Sequence, residues 1–230
     1  MQIIFDLETI PSQQPDAREL VRATLKPPGT LKKPESIAAW WANEADAAVE
    51  DAYRRQALDG GLAGEIISIA ACTPDGRQWG RCRAQGEPEA ALLVAFGAQV
   101  ETWIDQDARA VAEGFNFAQD PYLIAHNAAF DLGFLWRRCI VNGVRLPFKV
   151  PGPMARAGQH YGDTMSAWAG YGNRVSLDAL CRALGVPSPK DNGMDGSQVF
   201  DAWLAGEHER IAQYNLADAV ATLAVWERLQ

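Results

Sequence analysis

Apolar residues near the N-terminus form a short, nearly continuous run that predicts a central β-strand. Residues 3–7 are almost wholly apolar, which is typical of a strand covered on both faces. Because side chains alternate along a strand, Asp6 and Glu8 would share one face with Ile4. Acids inside or beside an apolar run are unfavourable unless positive charge lies near them. This strand is therefore the first candidate for a charged site.

Two further apolar runs predict a β-hairpin. The segments 65–72 and 77–83 are joined by Thr73-Pro74-Asp75-Gly76, and the Pro-Asp-Gly order favours a tight turn. Residues 11–62 precede this hairpin, and we expect them to be an insertion after the first strand.

The insertion is predicted to contain one long helix. Pro34 would open the helix and Gly60-Gly61 would close it. Helical spacing then puts four apolar residues on one face: Ile37, Trp41, Ala48 and Ala52.

The rest of the chain is predicted to be mainly helical, with one more strand at 122–125. Helices are expected from Pro88 to about Val111, where Gly114 would end the first of them, and over 130–141, 176–184, 197–205 and 207–229. A strand, a hairpin, a helix, a strand and further helices indicate an α/β fold with a mixed β-sheet flanked by helices. We expect residues 1–230 to form a single domain.

Composition narrows the class of protein. The chain has 230 residues, of which 48% are hydrophobic and 22% are charged, as is ordinary for a soluble globular protein. No apolar run is long enough to span a bilayer, and the N-terminus lacks the pattern of a secretion signal. The four cysteines have no paired spacing, which favours a reducing compartment, and we expect a cytoplasmic location. The net charge of −8 argues against a broad basic surface that coats nucleic acid, although it is compatible with a nuclease.

Three further residues are candidates for the same charged site. Asp131 lies in the first turn of the predicted helix 130–141, where an acid also suits the helix dipole. Tyr214 and Asp218 are four residues apart, on one face of a last helix that is apolar on two sides. Structural alternatives for Asp218 are an ion pair with an arginine or a protonated acid.

The candidate acids have a common chemical explanation. Asp6, Glu8, Asp131 and Asp218 would repel one another in a shared site unless cations were bound there. Oxygen-only ligands favour magnesium (Mg²⁺) or manganese (Mn²⁺), and two such ions can stabilise both oxygens of a phosphodiester that is being hydrolysed. Tyr214 could then orient the attacking water.

These residues resemble the motifs of the DEDD 3′–5′ exonucleases of the ribonuclease H-like fold, which include DnaQ-like proofreading domains. Asp6-x-Glu8 is similar to the first motif, Asn127 through Asp131 to the second, and Tyr214-x-x-x-Asp218 to the third. The tyrosine is typical of the DEDDy branch. The stretch 163–222 is similar to predicted exonucleases related to the proofreading domain of family B DNA polymerases.

The resemblance implies a function for each motif. Asp6, Glu8, Asp131 and Asp218 would hold two divalent metal ions, Mg²⁺ or Mn²⁺, and Tyr214 would position the water. Thr9 and Asn127 would bind near the 3′-terminal nucleotide. A turn or N-cap role remains the alternative for Asn127.

The predicted activity is metal-dependent 3′–5′ exonuclease activity on single-stranded 3′ ends, which releases nucleoside monophosphates. We expect DNA as the polymer, with the protein acting alone or beside separately encoded replication or repair proteins. One alternative is a 3′–5′ exoribonuclease with the same site, since these motifs contact the backbone rather than the sugar. A non-catalytic nucleic-acid-binding module is the alternative from another class.

Two acids outside the motifs, Asp163 and Asp195, are each open to two interpretations. Asp163 could support the site from behind the metal ligands or cap a loop. Asp195 could lie near substrate, although Asp195-Gly196 is also ordinary helix-start sequence. Trp168 and Tyr171 lie among glycines and are candidates for stacking on unpaired bases.

Overall fold

A five-stranded mixed β-sheet forms the centre of the computed structural model, which describes residues 1–110, 120–189 and 193–230. The strands are β1 (Gln2–Ile10), β2 (Glu65–Cys72), β3 (Gln78–Cys82), β4 (Tyr122–Ala125) and β5 (Gly162–Asp163), and their order across the sheet is β3-β2-β1-β4-β5. β1 is antiparallel to β2 and parallel to β4. β3 pairs antiparallel with β2, and β5 pairs parallel with β4. The predicted α/β class with a mixed sheet is confirmed.

Helices cover this sheet. They are α1 (Ala17–Thr24), α2 (Pro34–Asn43), α3 (Ala45–Arg54), α4 (Glu89–Ala110), α5 (Ala128–Val141), α6 (Thr164–Ala169), α7 (Leu177–Leu184), α8 (Val199–Leu204) and α9 (His208–Arg228). A 3-10 turn, Arg55–Leu58, follows α3. Another 3-10 turn, Gly196–Gln198, precedes α8.

Strand β1 is buried on both faces, as its apolar run predicts. Phe5 and the residues of β1 that share its face belong to a hydrophobic cluster that includes Phe96 of α4 and Phe134 of α5. Ile4 belongs to a second cluster with Ala219 of α9. Because Asp6 and Glu8 alternate in step with Ile4, they lie on the α9 side of the sheet.

The prediction of one long helix after Pro34 is wrong. The chain leaves helical geometry at Glu44, where φ is −122° and ψ is −19°, so α2 and α3 are separate helices. A 3.6-residue periodicity cannot be carried across that break. The predicted buried face is also wrong, since the buried residues are Trp40, Ala45, Val49 and Tyr53 while Trp41 is exposed. Helix α1 was not predicted, because only a short part of it is buried against the core and it therefore shows no extended apolar periodicity.

Local signals elsewhere predict the elements well. Ser176 caps α7 by accepting a hydrogen bond from the backbone of Ala179, and Gly185 ends that helix at φ 66°. β4 has the predicted bounds. The predicted helix end at Val111 and Gly114 lies outside the described residues. None of the helices within the described part of the chain is long and apolar enough to cross a membrane.

Candidate active site

Three of the predicted acids meet at one point on the α9 side of β1. One carboxylate oxygen each from Asp6, Glu8 and Asp218 can be chosen so that all three lie within 4.8 Å of one another. Asp6 and Glu8 come from alternate positions of β1, opposite Ala70 and Ser68 of β2. Asp218 comes from α9, which packs across β1, β2 and β3. Residues 210 positions apart in sequence are thus brought into one cluster.

Asp131 enters the same electrostatic environment from α5. Its side chain is buried in the first turn of α5. Burial is the largest cause that raises its pKa well above the ordinary value, and the charges of Asp163 and Asp218 act in the same direction. Asp131 lies outside the tight group of three, so it extends the cluster toward α5.

The site concentrates negative charge. Burial, followed by neighbouring carboxylates, raises the pKa of Asp6 well above its ordinary value. The same two causes raise the pKa of Glu8, where the neighbours are Asp218 and Asp131. Among the residues that the structure describes, the neighbouring charges that raise the pKa values of Asp6, Glu8 and Asp131 belong to carboxylates. Hard oxygen donors that repel one another fit the binding of Mg²⁺ or Mn²⁺.

Tyr214 lies one helical turn before Asp218 and is buried. Its phenol lies near the carboxylates of Glu8, Asp218 and Asp6. Burial first, and then the charge of Glu8, raise the pKa of the phenol, so it remains protonated at neutral pH. A protonated phenol at this position can donate and accept hydrogen bonds beside the acids.

Asn215 is a polar residue of the site that sequence reasoning missed. Its Nδ2 donates to Asp6 Oδ2 at 2.6 Å, and its Oδ1 accepts from the hydroxyl of Ser68 at 2.9 Å. Both Asn215 and Ser68 are fully buried. In the sequence, Asn215 stands out as a polar residue within the apolar part of α9. Its hydrogen-bond partners lie on other elements, so the sequence does not show them.

Comparison with known families identifies the chain. A family described as "Predicted 3'-5' exonuclease related to the exonuclease domain of PolB" matches residues 98–230, which is more than half of the sequence. The chain belongs to this family. Asp131, Tyr214 and Asp218 lie within the matched part, whereas Asp6 and Glu8 precede it. Exonuclease domains of this kind use divalent metal ions, and the acidic cluster has the corresponding chemistry.

A solved structure supports the fold of this family member. The family B DNA polymerase from the hyperthermophilic archaeon Pyrobaculum calidifontis matches with a TM-score of 0.57 and 17% sequence identity. The match covers 99% of this chain and 24% of the polymerase chain, so the protein spans about a quarter of its structural relative. The shared architecture is ribonuclease H-like. No curated protein sequence gives a significant match.

Thr9, which follows Glu8 on β1, and Asn127, which precedes α5, are the predicted substrate contacts. The Thr9 hydroxyl donates to the Ala57 carbonyl at 2.6 Å. Asn127 has a left-handed backbone (φ 63°), and its N–H donates to Asp163 at 3.1 Å. Asn127 occupies the N-cap position of α5 without a side-chain cap bond. Their contact with a nucleotide stays a prediction.

Asp163 and Asp195 have capping roles. The Asp163 carboxylate accepts from the backbone N–H groups of Met165 and Ser166 at the start of α6. Because it also holds Asn127, it joins α6 to the start of α5. Asp195 caps the 3-10 turn before α8 in a capping box. The candidate stacking residues Trp168 and Tyr171 are both exposed.

Proposed function

We propose that this member of the family is a metal-dependent 3′–5′ exonuclease that removes nucleoside monophosphates from the 3′ end of single-stranded nucleic acid, with DNA as the expected polymer. The observation that carries the proposal is the convergence of Asp6, Glu8 and Asp218 within 4.8 Å, beside buried Asp131. Three separate elements contribute these acids. Such a charge concentration is unfavourable for folding and is explained by cations that hold a phosphate.

The residues have distinct roles in the proposed reaction. The four carboxylates hold two divalent ions, which when bound supply Lewis acidity toward the scissile phosphate. Tyr214 keeps its proton and orients the attacking water, since its phenol lies near the carboxylates of Glu8 and Asp218. Asn215 holds the Asp6 carboxylate in one orientation through its hydrogen bond to Oδ2. Hydrolysis then needs no nucleophilic side chain.

The test is a time course with matched 5′-labelled single-stranded DNA and RNA, each with Mg²⁺, Mn²⁺ or chelator. The proposal predicts a ladder of shortening products on DNA that depends on metal. Asp6→Ala and Asp131→Asn should abolish the ladder while keeping the fold. Asp105→Asn is the matched control, because Asp105 is an exposed acid on α4, and it should remain active.

The outcomes separate the alternatives. A ladder on RNA alone would make the protein an exoribonuclease. Wild-type activity in either purified site variant would remove the metal-site assignment. Binding of oligonucleotides without any shortening, and without a need for Mg²⁺, would instead support a non-catalytic binding module.

A further inference from the structure

Ser68 is a polar residue in the middle of a buried apolar strand. It belongs to β2, which is buried along its whole length and is otherwise apolar from Ile66 to Cys72. Ser68 itself is 0% exposed. Burying a hydroxyl group is unfavourable unless the group is hydrogen-bonded, and an alanine would fill nearly the same space without that penalty. Packing alone therefore does not account for a serine at this position.

The hydroxyl group of Ser68 is connected to the acidic cluster by two hydrogen bonds in series. It donates to Oδ1 of Asn215 at 2.9 Å, and Nδ2 of Asn215 donates to Oδ2 of Asp6 at 2.6 Å. These three residues lie on β2, α9 and β1. Ser68 and Asn215 are both 0% exposed, so water does not compete for the hydrogen bond between them. One short chain of polar groups thus joins three elements at the acidic cluster.

The chemistry of the groups determines the direction of both hydrogen bonds. An ionised carboxylate can only accept, so the Asn215 side chain turns its NH₂ group toward Asp6. The amide oxygen of Asn215 then faces Ser68, and the serine hydroxyl has to donate. An amide that is hydrogen-bonded at both ends has one favoured orientation. It therefore gives the carboxylate that it contacts one favoured orientation as well.

A neutral amide suits a position beside a proposed cation site. A lysine or arginine in place of Asn215 could also hold Asp6, but its charge would repel bound cations. Side chains that hydrogen-bond a metal-binding carboxylate orient it and thereby set metal affinity, although they do not touch the metal. A fixed orientation matters most for Mg²⁺, because Mg²⁺ requires near-ideal octahedral geometry whereas Ca²⁺ accepts flexible coordination.

We propose that Ser68 is a positioning residue of the metal site and contributes to its selectivity. Ser68 acts through Asn215, and the pair holds Asp6 in the orientation that favours Mg²⁺ over the larger Ca²⁺. The inference rests on the proposed function, since it concerns the ions that the acids are proposed to hold. Ser68 precedes the residues that the family model matches, 98–230.

The test measures the Kd of Mg²⁺ and of Ca²⁺ from the rise in Tm as each ion is added to protein freed of metal by chelator. Ser68→Ala should raise the Kd of Mg²⁺ about five-fold and that of Ca²⁺ less than about two-fold. Asn215→Leu should raise the Kd of Mg²⁺ about ten-fold, because it removes the hydrogen bond to Asp6 directly. The double variant Ser68→Ala/Asn215→Leu should match Asn215→Leu alone, because Ser68 acts through the amide.

Thr222→Val is the matched control. Thr222 also has a buried hydroxyl group and lies on α9, one helical turn after Asp218. Its Oγ1 has no hydrogen-bond partner within the part of the chain that the structure describes. Valine replaces that hydroxyl group with a methyl group of similar size, so the variant should bind both ions as the wild type does. The control separates the loss of any buried hydroxyl group from the loss of the one that holds Asn215.

Equal losses of Mg²⁺ and Ca²⁺ affinity in Ser68→Ala would overturn the proposal, because a general loosening of the fold would explain them. An unchanged Mg²⁺ affinity in Ser68→Ala would overturn it as well, and so would a larger loss in the double variant than in Asn215→Leu. Failure of the proposed function looks different. In that case the wild-type protein would shorten no strand with Mg²⁺, while its preference for Mg²⁺ over Ca²⁺ would still depend on Ser68.

Discussion

Neutralising Glu8 should stabilise the metal-free protein, although Glu8 is predicted to be essential for activity. Burial and the charges of Asp218 and Asp131 raise the pKa of Glu8 well above its ordinary value. A carboxylate with a raised folded-state pKa disfavours folding once the pH exceeds its unfolded-state pKa. Stability of the metal-free protein should therefore fall as the pH rises from about 4.5 through the folded-state pKa of Glu8. Above that pH the full penalty is present.

The distance between the carboxylates sets the size of the expected stabilisation. Two unit charges at the 4.8 Å limit of the cluster repel by about 3.5 kcal/mol at an effective dielectric constant of about 20. Glu8 and Asp218 are only half-buried, so solvent screening and partial protonation reduce this repulsion. We expect Glu8→Gln to raise the free energy of unfolding by about 1–2 kcal/mol at pH 8 in chelator.

Urea unfolding of the wild type and Glu8→Gln, at pH 5 and pH 8, checks this expectation. The stabilisation should be larger at pH 8 than at pH 5. Saturating Mg²⁺ should reverse the order, because the wild type then gains more from metal binding than the variant. Glu89→Gln is the control, since Glu89 is a buried acid paired with Arg138 at 2.6 Å. It should destabilise by about 3 kcal/mol with or without metal.

Two results would contradict the prediction for Glu8→Gln. Glu8→Gln could be less stable than the wild type at pH 8 in chelator, which would mean that the carboxylate is satisfied without a cation. Alternatively, Mg²⁺ could stabilise both proteins equally, which would mean that Glu8 does not bind the ion.

Three further predictions concern residues around the cluster. Asn215→Leu removes the hydrogen bond to Asp6, and it should raise the Mg²⁺ concentration needed for half-maximal activity about ten-fold, as metal titrations would reveal. Tyr214→Phe should lower kcat about 100-fold in oligonucleotide assays, while the Mg²⁺-induced rise in Tm is retained, since the phenol orients water rather than metal. Gly64→Ala should destabilise the protein by about 2 kcal/mol in urea unfolding, because its Cβ would clash with Gln56; unchanged stability would contradict the observed packing.

Local sequence patterns predict the elements that carry the acids. Alternation along a buried strand put Asp6 and Glu8 on one face, and four-residue spacing put Tyr214 and Asp218 on one face of the last helix. The cap at Ser176 was also predictable, because a helix cap depends on residues that are close in the sequence. Each of these signals depends on backbone geometry within a few residues, which sequence order specifies directly.

Which of these groups meet depends on how distant elements pack together. Asn215 contacts Ser68 and Asp6 at separations of 147 and 209 residues, and no local pattern contains that information. The short β5 likewise depends on its pairing with β4 rather than on propensity. The segment 57–64 is a further case, because hydrogen bonds from Thr9 of β1 to the Ala57 carbonyl and from Arg137 of α5 to the Gly60 carbonyl attach it to those elements. Side-chain direction is a local property, whereas convergence requires the packing of elements that are far apart in the chain.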